Sequence, residues 1–381
     1  MIPYSRQSID EDDIQAVVEV LRSDWLTTGP MVERFEQAVA QFVGAKHAVA
    51  VSSGTAALHC AMYAAGIGPG DEVILPPMTF VATANAVVFQ GGTPIFADVD
   101  PDTLLINPTE VERKISPKTK AIIAVDYAGQ PCDYDALRSI ADRHHLILVA
   151  DACHSLGAEY KRRKVGTLAD LTVFSFHPVK HITTGEGGMV VTDNAEYAEK
   201  IRRFRNHGIT ADHRQRTANG TWYYEMVDLG YNYRLTDFQC ALGISQLYKL
   251  PDWIARRQEI AKHYDRDFEK ITFIKPLKHS SRSTHVYHLY VIRLDSEDLR
   301  THRSTIFEYL RKDGISVNVH YIPLHLHPFY RHRFATQGGS CPVAERSYET
   351  LMSLPIFHGM TDQNIHDVIE VVHTALKPYE F

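Results

Sequence analysis

The sequence predicts an α/β fold with a mostly parallel central sheet, followed by a smaller C-terminal α+β domain. Short β-branched runs alternate with segments of helical period across the first two thirds of the chain, the pattern of a parallel sheet covered on both faces. That alternation stops after a long helical stretch around residue 250. The length, 381 residues, also exceeds the size at which one hydrophobic core usually stops growing. Two domains are therefore expected, residues 1–250 and 251–381.

The elements follow in order. "IQAVVEVLRS" (14–23) and "MVERFEQAVAQFVG" (31–44) repeat apolar residues at helical spacing, and Gly44 closes the second. "HAVAV" (47–51) reads as a buried strand and "TAALHCAMYAAG" (55–66) as a helix. Further strands are predicted at 72–76, 93–99, 120–126, 146–151, 171–176 and 188–193, with helices at 80–90, 134–145 and 195–206 between several of them. The long stretch beginning at "DFQCALG" carries a breaker at Pro251 and leads out of this first domain. Beyond it, 287–294 and 315–322 read as strands, and 301–312, 342–350 and 362–376 as helices.

Composition excludes several classes of function. Hydrophobic content of 44% and charged content of 23% are ordinary for a globular protein. A formal net charge of −6 argues against binding nucleic acid by general phosphate attraction. Cys60, Cys132, Cys153, Cys240 and Cys341 are widely spaced, with no Cys-x-x-Cys pair, as expected of reduced intracellular thiols. The opening "MIPYSRQSIDEDD" lacks the apolar core of a signal peptide, and no run reaches the ~20 apolar residues of a membrane span. The expected location is cytoplasmic.

Ligands of open α/β sheets sit at the carboxyl ends of strands, so the residues following each strand carry the most information. After "HAVAV" come Ser52-Ser53-Gly54-Thr55, opening a helix. Free N–H groups and the helix dipole there suit a phosphate, although simple capping explains the serines equally well. Asp151 ends the strand "LILVAD", where a carboxylate needs a cation or several donors; fixing a loop is its ordinary alternative. Lys180 follows "LTVFSF" within "FSFHPVKHITTGEGG" (174–188). A lone lysine is ordinarily a solvated surface residue. Taken together, the three are the parts that pyridoxal phosphate needs. A lysine amine forms a Schiff base with its aldehyde, a carboxylate pairs with its ring nitrogen, and a helix N-terminus anchors its phosphate.

Competing motifs fare worse. "GIGPGDE" (66–72) has the glycines of a dinucleotide loop but follows a helix and precedes a strand, the reverse of the required order. "HLHPFYRH" (325–332) offers histidines interrupted by Pro328 with no nearby carboxylate, a poor metal site. No metal is expected.

With these residues in view, the chain resembles the DegT/DnrJ/StrS nucleotide-sugar aminotransferases along nearly its whole length. The matching stretches are "WLTTGP" (25–30), "VAVSSGTAAL" (49–58), "GPGDEVILPPMTFVATANAV" (68–87), "DACHSLGAEY" (151–160), "FSFHPVKHITTGEGGMVVT" (174–192), "GYNYRLTDFQCALG" (230–243) and "VHYIPLH" (319–325). Within the group, "VDYAGQ" (125–130) and "FSFHPVKHITTGEGG" most resemble the 4-aminotransferase of pseudaminic acid biosynthesis.

The resemblance implies the aspartate-aminotransferase type of fold with pyridoxal 5′-phosphate as cofactor. Lys180 matches its Schiff-base and proton-shuttling lysine, Asp151 the partner of the ring nitrogen, and His154 the neighbour of the phenolic oxygen. Gly54, Thr55 and Ser175 match phosphate contacts, and Phe80 the aromatic stacked on the ring. Asn232 matches a phosphate contact from the neighbouring subunit, which implies a homodimer with shared active sites. Tyr4, Leu26, Thr27, Thr28, His320, Tyr321 and His325 match segments bordering the sugar-nucleotide cleft.

The implied reaction moves an amino group from L-glutamate to C4 of a UDP-linked 4-keto-6-deoxy sugar. Alternatives are a dTDP or GDP sugar, amination at C3, or a dehydratase of the same fold. In dehydratases histidine replaces the lysine, and here Lys180 is present with His181 beside it. A non-catalytic regulator that binds the cofactor or a sugar nucleotide is the reading from another class, and no DNA-binding segment supports it.

Overall fold

Seven short, β-branched runs pair into the central sheet of a computed structural model that describes residues 1–379. Strands β1 (His47–Val51), β2 (Glu72–Leu75), β3 (Thr93–Phe96), β4 (Thr119–Val125) and β5 (Ile147–Asp151) precede a two-residue hairpin, β6 (Glu159–Tyr160) and β7 (Arg163–Lys164). β8 (Leu171–Ser175) and β9 (Gly188–Thr192) follow. The spatial order is β1-β9-β8-β5-β4-β2-β3. Only β9 runs antiparallel to both neighbours; the remaining pairs are parallel. The carboxyl ends of β1, β4, β5 and β8 therefore share one edge. All seven strands are those the sequence predicts.

Helices cover both faces, and their ends follow local chemistry. Glu11–Leu21 starts on a capping box between Asp10 and Asp13. Pro30–Val43 ends on left-handed Gly44. Gly54–Ala64 is capped by Ser53, whose hydroxyl accepts the Ala56 N–H. The resulting core runs from Phe35 through β1, β4, β5 and β8 to Val191.

The long helix extends over Asp237–Phe268 and passes through Pro251 unbroken, contrary to the expected breaker. Proline removes one helical N–H bond. Burial on both sides of it, at Leu247 and Leu250 and then at Arg257 and Ile260, offsets that loss. The expected division at residue 250 thus falls inside a helix.

A second core forms around Ile260, Tyr264 and Phe268 of this helix. It contains the antiparallel strands β10 (Ile274–Pro276), β11 (Tyr290–Leu294) and β12 (Leu351–Leu354), with Arg303–Lys312 and Asp362–Leu376 packed against them. The strand expected at 315–322 is absent. That segment makes only isolated bridges, Ile2 to Ile315 and Asn318 to Ser353, because Asn318 through Tyr321 turn toward a cavity. β12 takes the place beside β11 instead.

One buried carboxylate ties the N-terminal segment to the long helix. Asp237 accepts the N–H of Gly29 at 2.7 Å and of Met31 at 2.9 Å, so the first residue of one helix caps another. Asp237→Ala is expected to leave these donors unpaired and to cost about 2–4 kcal/mol in a urea unfolding curve. A change below about 0.5 kcal/mol contradicts the capping role.

Candidate active site

The shared edge of β1, β4, β5 and β8 opens into a cavity of about 770 Å³, a size suited to a cofactor-sized ligand. At the end of β1 the chain turns directly into the helix Gly54–Ala64. The N–H groups of Gly54 and Thr55 precede the first helical acceptor and so lack partners in the helix. Gly54 permits a close approach: a Cβ there would lie 2.8 Å from that of Ser175 at the end of β8. Gly54, Thr55 and Ser175 thereby form one small cradle on the cavity wall.

Asp151 ends β5 and is buried. Its carboxylate accepts the Thr83 hydroxyl at 2.7 Å, and Thr83 in turn pairs with Thr79 at 2.7 Å. Thr83 lies in the first turn of the helix Val81–Phe89, whose N-cap is Phe80. The Phe80 side chain is 57% exposed and lines the cavity, so it is not a core phenylalanine.

Lys180 stands in the loop between β8 and β9, and the threonines and glycines around it explain that composition. Thr183 Oγ1 donates to Phe176 O and accepts the Gly185 N–H. Thr184 Oγ1 donates to Glu186 O, and Gly185 takes a positive φ of 78°. Gln246 and Gln239 of the long helix bind Thr183 N and Glu186 O, and Ser5 binds Val179 O. The loop is thus fixed from three directions. Burial pushes the Lys180 amine below the usual lysine range, against the opposing pull of Cys153 and Asp151.

Behind the lysine lies a group of buried imidazoles. His154 Nε2 is 3.3 Å from the Tyr321 hydroxyl, and its ring centroid is 4.2 Å from that of His288. Burial, then the charge of Lys180, pushes His154 well below the ordinary histidine range. His320 is pushed down to about 4 by burial and by Lys180. Its Nδ1 pairs with Ser353 at 2.9 Å, and its carbonyl accepts the Tyr127 hydroxyl. Asp126, at the end of β4, accepts from Cys132 N, Tyr134 OH and Ser155 Oγ, which fixes the loop after Asp151. Burial pushes its carboxyl up to about 6.

The cavity gathers Tyr4, Gly54, Thr55, Phe80, Asp151, His154, Ser175, Lys180, His320 and Tyr321 of the expected site residues. Leu26, Thr27, Thr28, Asn232 and His325 do not line it. Thr27 bridges to Thr236 and Asn232 to Asn206, and Thr28 lines a separate small recess with Arg202, Arg205 and Arg234. Leu26 and Asn232 are exposed. His325 is fully buried, its Nε2 2.8 Å from Glu345, so its polarity is spent on packing between segments. Thr83, Asp126, Tyr127 and His288 belong to the site or its support and escaped the sequence reading. The buried polar residues of "VDYAGQ" gave a signal for two of them, while nothing local marked Thr83 or His288.

A lysine loop, a carboxylate at a strand end and a helix-terminal cradle around one cavity fit an enzyme of the pyridoxal phosphate class. The model of the DegT/DnrJ/EryC1/StrS aminotransferase family matches residues 7–373, and the chain belongs to that family. The spore coat polysaccharide biosynthesis protein SpsC of Bacillus subtilis is 44% identical over 99% of this chain and 97% of its own. PseC of Helicobacter pylori, an aminotransferase involved in the biosynthesis of pseudoaminic acid, superposes with a TM-score of 0.93 at 36% identity, covering 99% of each chain. The putative sugar aminotransferase Spr1654 of Streptococcus pneumoniae, in its PMP form, gives a TM-score of 0.94 at 33% identity over the whole of both chains.

The chain is thus a sugar aminotransferase with pyridoxal 5′-phosphate as its cofactor. Its residues fit that group: an anion cradle that a Cβ would fill, an exposed aromatic face, and buried His154 Nδ1 without a partner among the described residues.

The buried imidazoles set a pH dependence. His59, His320 and His358 charge near pH 6.5 when unfolded but only near 4 when folded. Between these values the unfolded chain binds more protons, so stability falls as pH drops from 6.5 toward 4. Asp126, raised to about 6, opposes this as one group against several. The urea midpoint is expected to be lower at pH 5 than at pH 7.5. A midpoint that is flat or higher at pH 5 contradicts the uncharged state of these rings.

Proposed function

We propose that this enzyme transfers an amino group from L-glutamate to C4 of a UDP-linked 4-keto-6-deoxy sugar. The products are 2-oxoglutarate and a 4-amino sugar nucleotide for pseudaminic acid or a related surface glycan. The observation that carries the reading is the lysine amine, disfavoured as a cation by burial, in one cavity with the Asp151 carboxylate. The likeness to PseC supports a place in pseudaminic acid biosynthesis, and the likeness to SpsC supports a role in surface polysaccharide.

Bound pyridoxal phosphate supplies an aldehyde that accepts the amino group and a ring that withdraws electrons from the adjacent carbon. The protein supplies the rest. Lys180 Nζ, as an uncharged amine, takes the proton from the donor's Cα and later delivers a proton to C4 of the sugar. Asp151, oriented by Thr83, holds a proton on the ring nitrogen. Gly54, Thr55 and Ser175 would hold the phosphate, Phe80 would stack on the ring and exclude water, and His154 would meet the phenolic oxygen. Tyr4, His320 and Tyr321 border the sugar side of the cavity.

The active unit in this reading is a cytoplasmic homodimer. Leu26, Thr27, Thr28 and Asn232 lie together outside their own cavity, beside a segment that exposes Trp222, Tyr223, Met226 and Leu229. Exposed apolar side chains of this kind suit a second copy. Asn232 of the second copy then completes the phosphate cradle.

Lys180→Ala is expected to lose the near-visible absorbance band of the cofactor-loaded enzyme and at least ~10³-fold in turnover. Retention of both removes this lysine from the reaction. Incubated with a panel of keto-sugar nucleotides, the wild type should consume one glutamate per amino sugar formed and prefer the UDP-linked 4-ketone. Product without glutamate consumption would indicate a dehydratase.

If sites are shared, remixed Lys180→Ala and Asn232→Ala subunits, each inactive alone, should recover roughly a quarter of wild-type activity through mixed dimers. No recovery after verified subunit exchange contradicts the shared site.

A further inference from the structure

His288 is a buried imidazole set against the catalytic lysine, and the main chain on both sides of it is anchored. Val286 N donates to Gly129 O at 3.0 Å and Leu289 N to Ala128 O at 3.2 Å. Gly129 has a φ of 103°, and a Cβ there would come within 2.9 Å of both His154 O and His288 N. The ring therefore stays where this backbone puts it. Its Nε2 lies 3.5 Å from Lys180 Nζ, the outer edge of hydrogen-bond reach, where catalytic contacts often sit before ligands bind. Its Nδ1 is buried with no partner among the described residues.

A neutral imidazole carries one N–H and one bare nitrogen. An orphaned buried N–H is rarer than an under-used acceptor. The proton therefore belongs on Nε2, facing the lysine, and a ring N–H meets a lone pair there only when the amine is uncharged. The surroundings favour that pairing. His288 is pushed well below the histidine range by burial, then by His154, Lys180, His181 and Arg257. Arg257 is itself buried and, among the described residues, bound to the carbonyls of Tyr287 and Ile356. Besides His288, Asp151, Cys153, His154, His181 and His320 all act on or respond to the amine.

We propose that His288 is a positioning residue for Lys180: its Nε2–H donates to the amine lone pair and parks that nitrogen, uncharged, whenever it is not joined to the cofactor. This rests on the reading of Lys180 as the cofactor lysine. The contact spares the enzyme a deprotonation step each time the amine is released and must act again as base or nucleophile.

The test uses cofactor-free enzyme, reductively methylated across a pH series, with modification of the Lys180 peptide followed by mass spectrometry. His288→Leu should move the profile up by about one pH unit, labelling roughly tenfold slower at pH 7. His288→Gln, which keeps an N–H donor, should stay within about threefold of wild type. A His288→Leu profile that coincides with wild type or moves to lower pH overturns the proposal. Should that variant not fold, ¹⁵N-labelled histidine in the wild type decides, the His288 signals being identified by their loss in His288→Gln. Protonated Nε2 with bare Nδ1 is expected, and a proton on Nδ1 overturns the proposal. Both readouts are independent of the absorbance band, so failure here and failure of the Lys180 reading are distinguishable.

Discussion

Asp151 and Lys180 follow neighbouring parallel strands to the same end of the sheet and line one cavity, where both are shielded from solvent. In such a place each charged form is costly, and each side chain is managed separately. Asp151 takes the Thr83 hydroxyl, while the amine lies against His288 and loses affinity for its proton. In the proposed reaction, keeping the two apart preserves one as a carboxylate partner for a ring nitrogen and the other as a base. A direct ion pair between them would cancel both capacities. The arrangement of strands, loops and supporting residues serves that separation.

The supporting residues explain why the site is stiff. The lysine loop is held by its own threonines and by two glutamines from the long helix. The loop after Asp151 is held by Asp126 through Ser155. Segments from the second core reach back to close the cavity, with His320 bound to Tyr127 and Ser353. Motion of one core relative to the other would therefore alter the side of the cavity lined by His320 and Tyr321 before the side lined by Asp151 and Lys180. The long helix, continuous through Pro251 and buried in both cores, resists that motion.

Much of this was legible in the sequence because it is encoded locally. All seven central strands are short β-branched runs bounded by turn residues, and Asp151 at the end of β5, with Gly54 and Lys180 a few residues past β1 and β8, stands out at their carboxyl ends. What was not legible depends on contacts between distant residues. Thr83 meets Asp151 across 68 positions and Lys180 meets His288 across 108. The segment 315–322 has strand-like composition yet bends toward the cavity, because its polar residues find partners there. His325 looked like a site residue in "VHYIPLH", but the turn at 324–326 aims it at Glu345 instead. Local pattern cannot separate His320 from His325; only the packed neighbours do.

The covalent role of Lys180 carries the proposed reaction. Borohydride reduction of the cofactor-loaded enzyme, followed by proteolysis and mass mapping, fixes the cofactor to whichever amine holds it. The added mass is expected on the peptide containing Lys180 and on no other lysine. Its recovery on a different lysine, or on none from an enzyme that still transfers amino groups, would contradict the central claim.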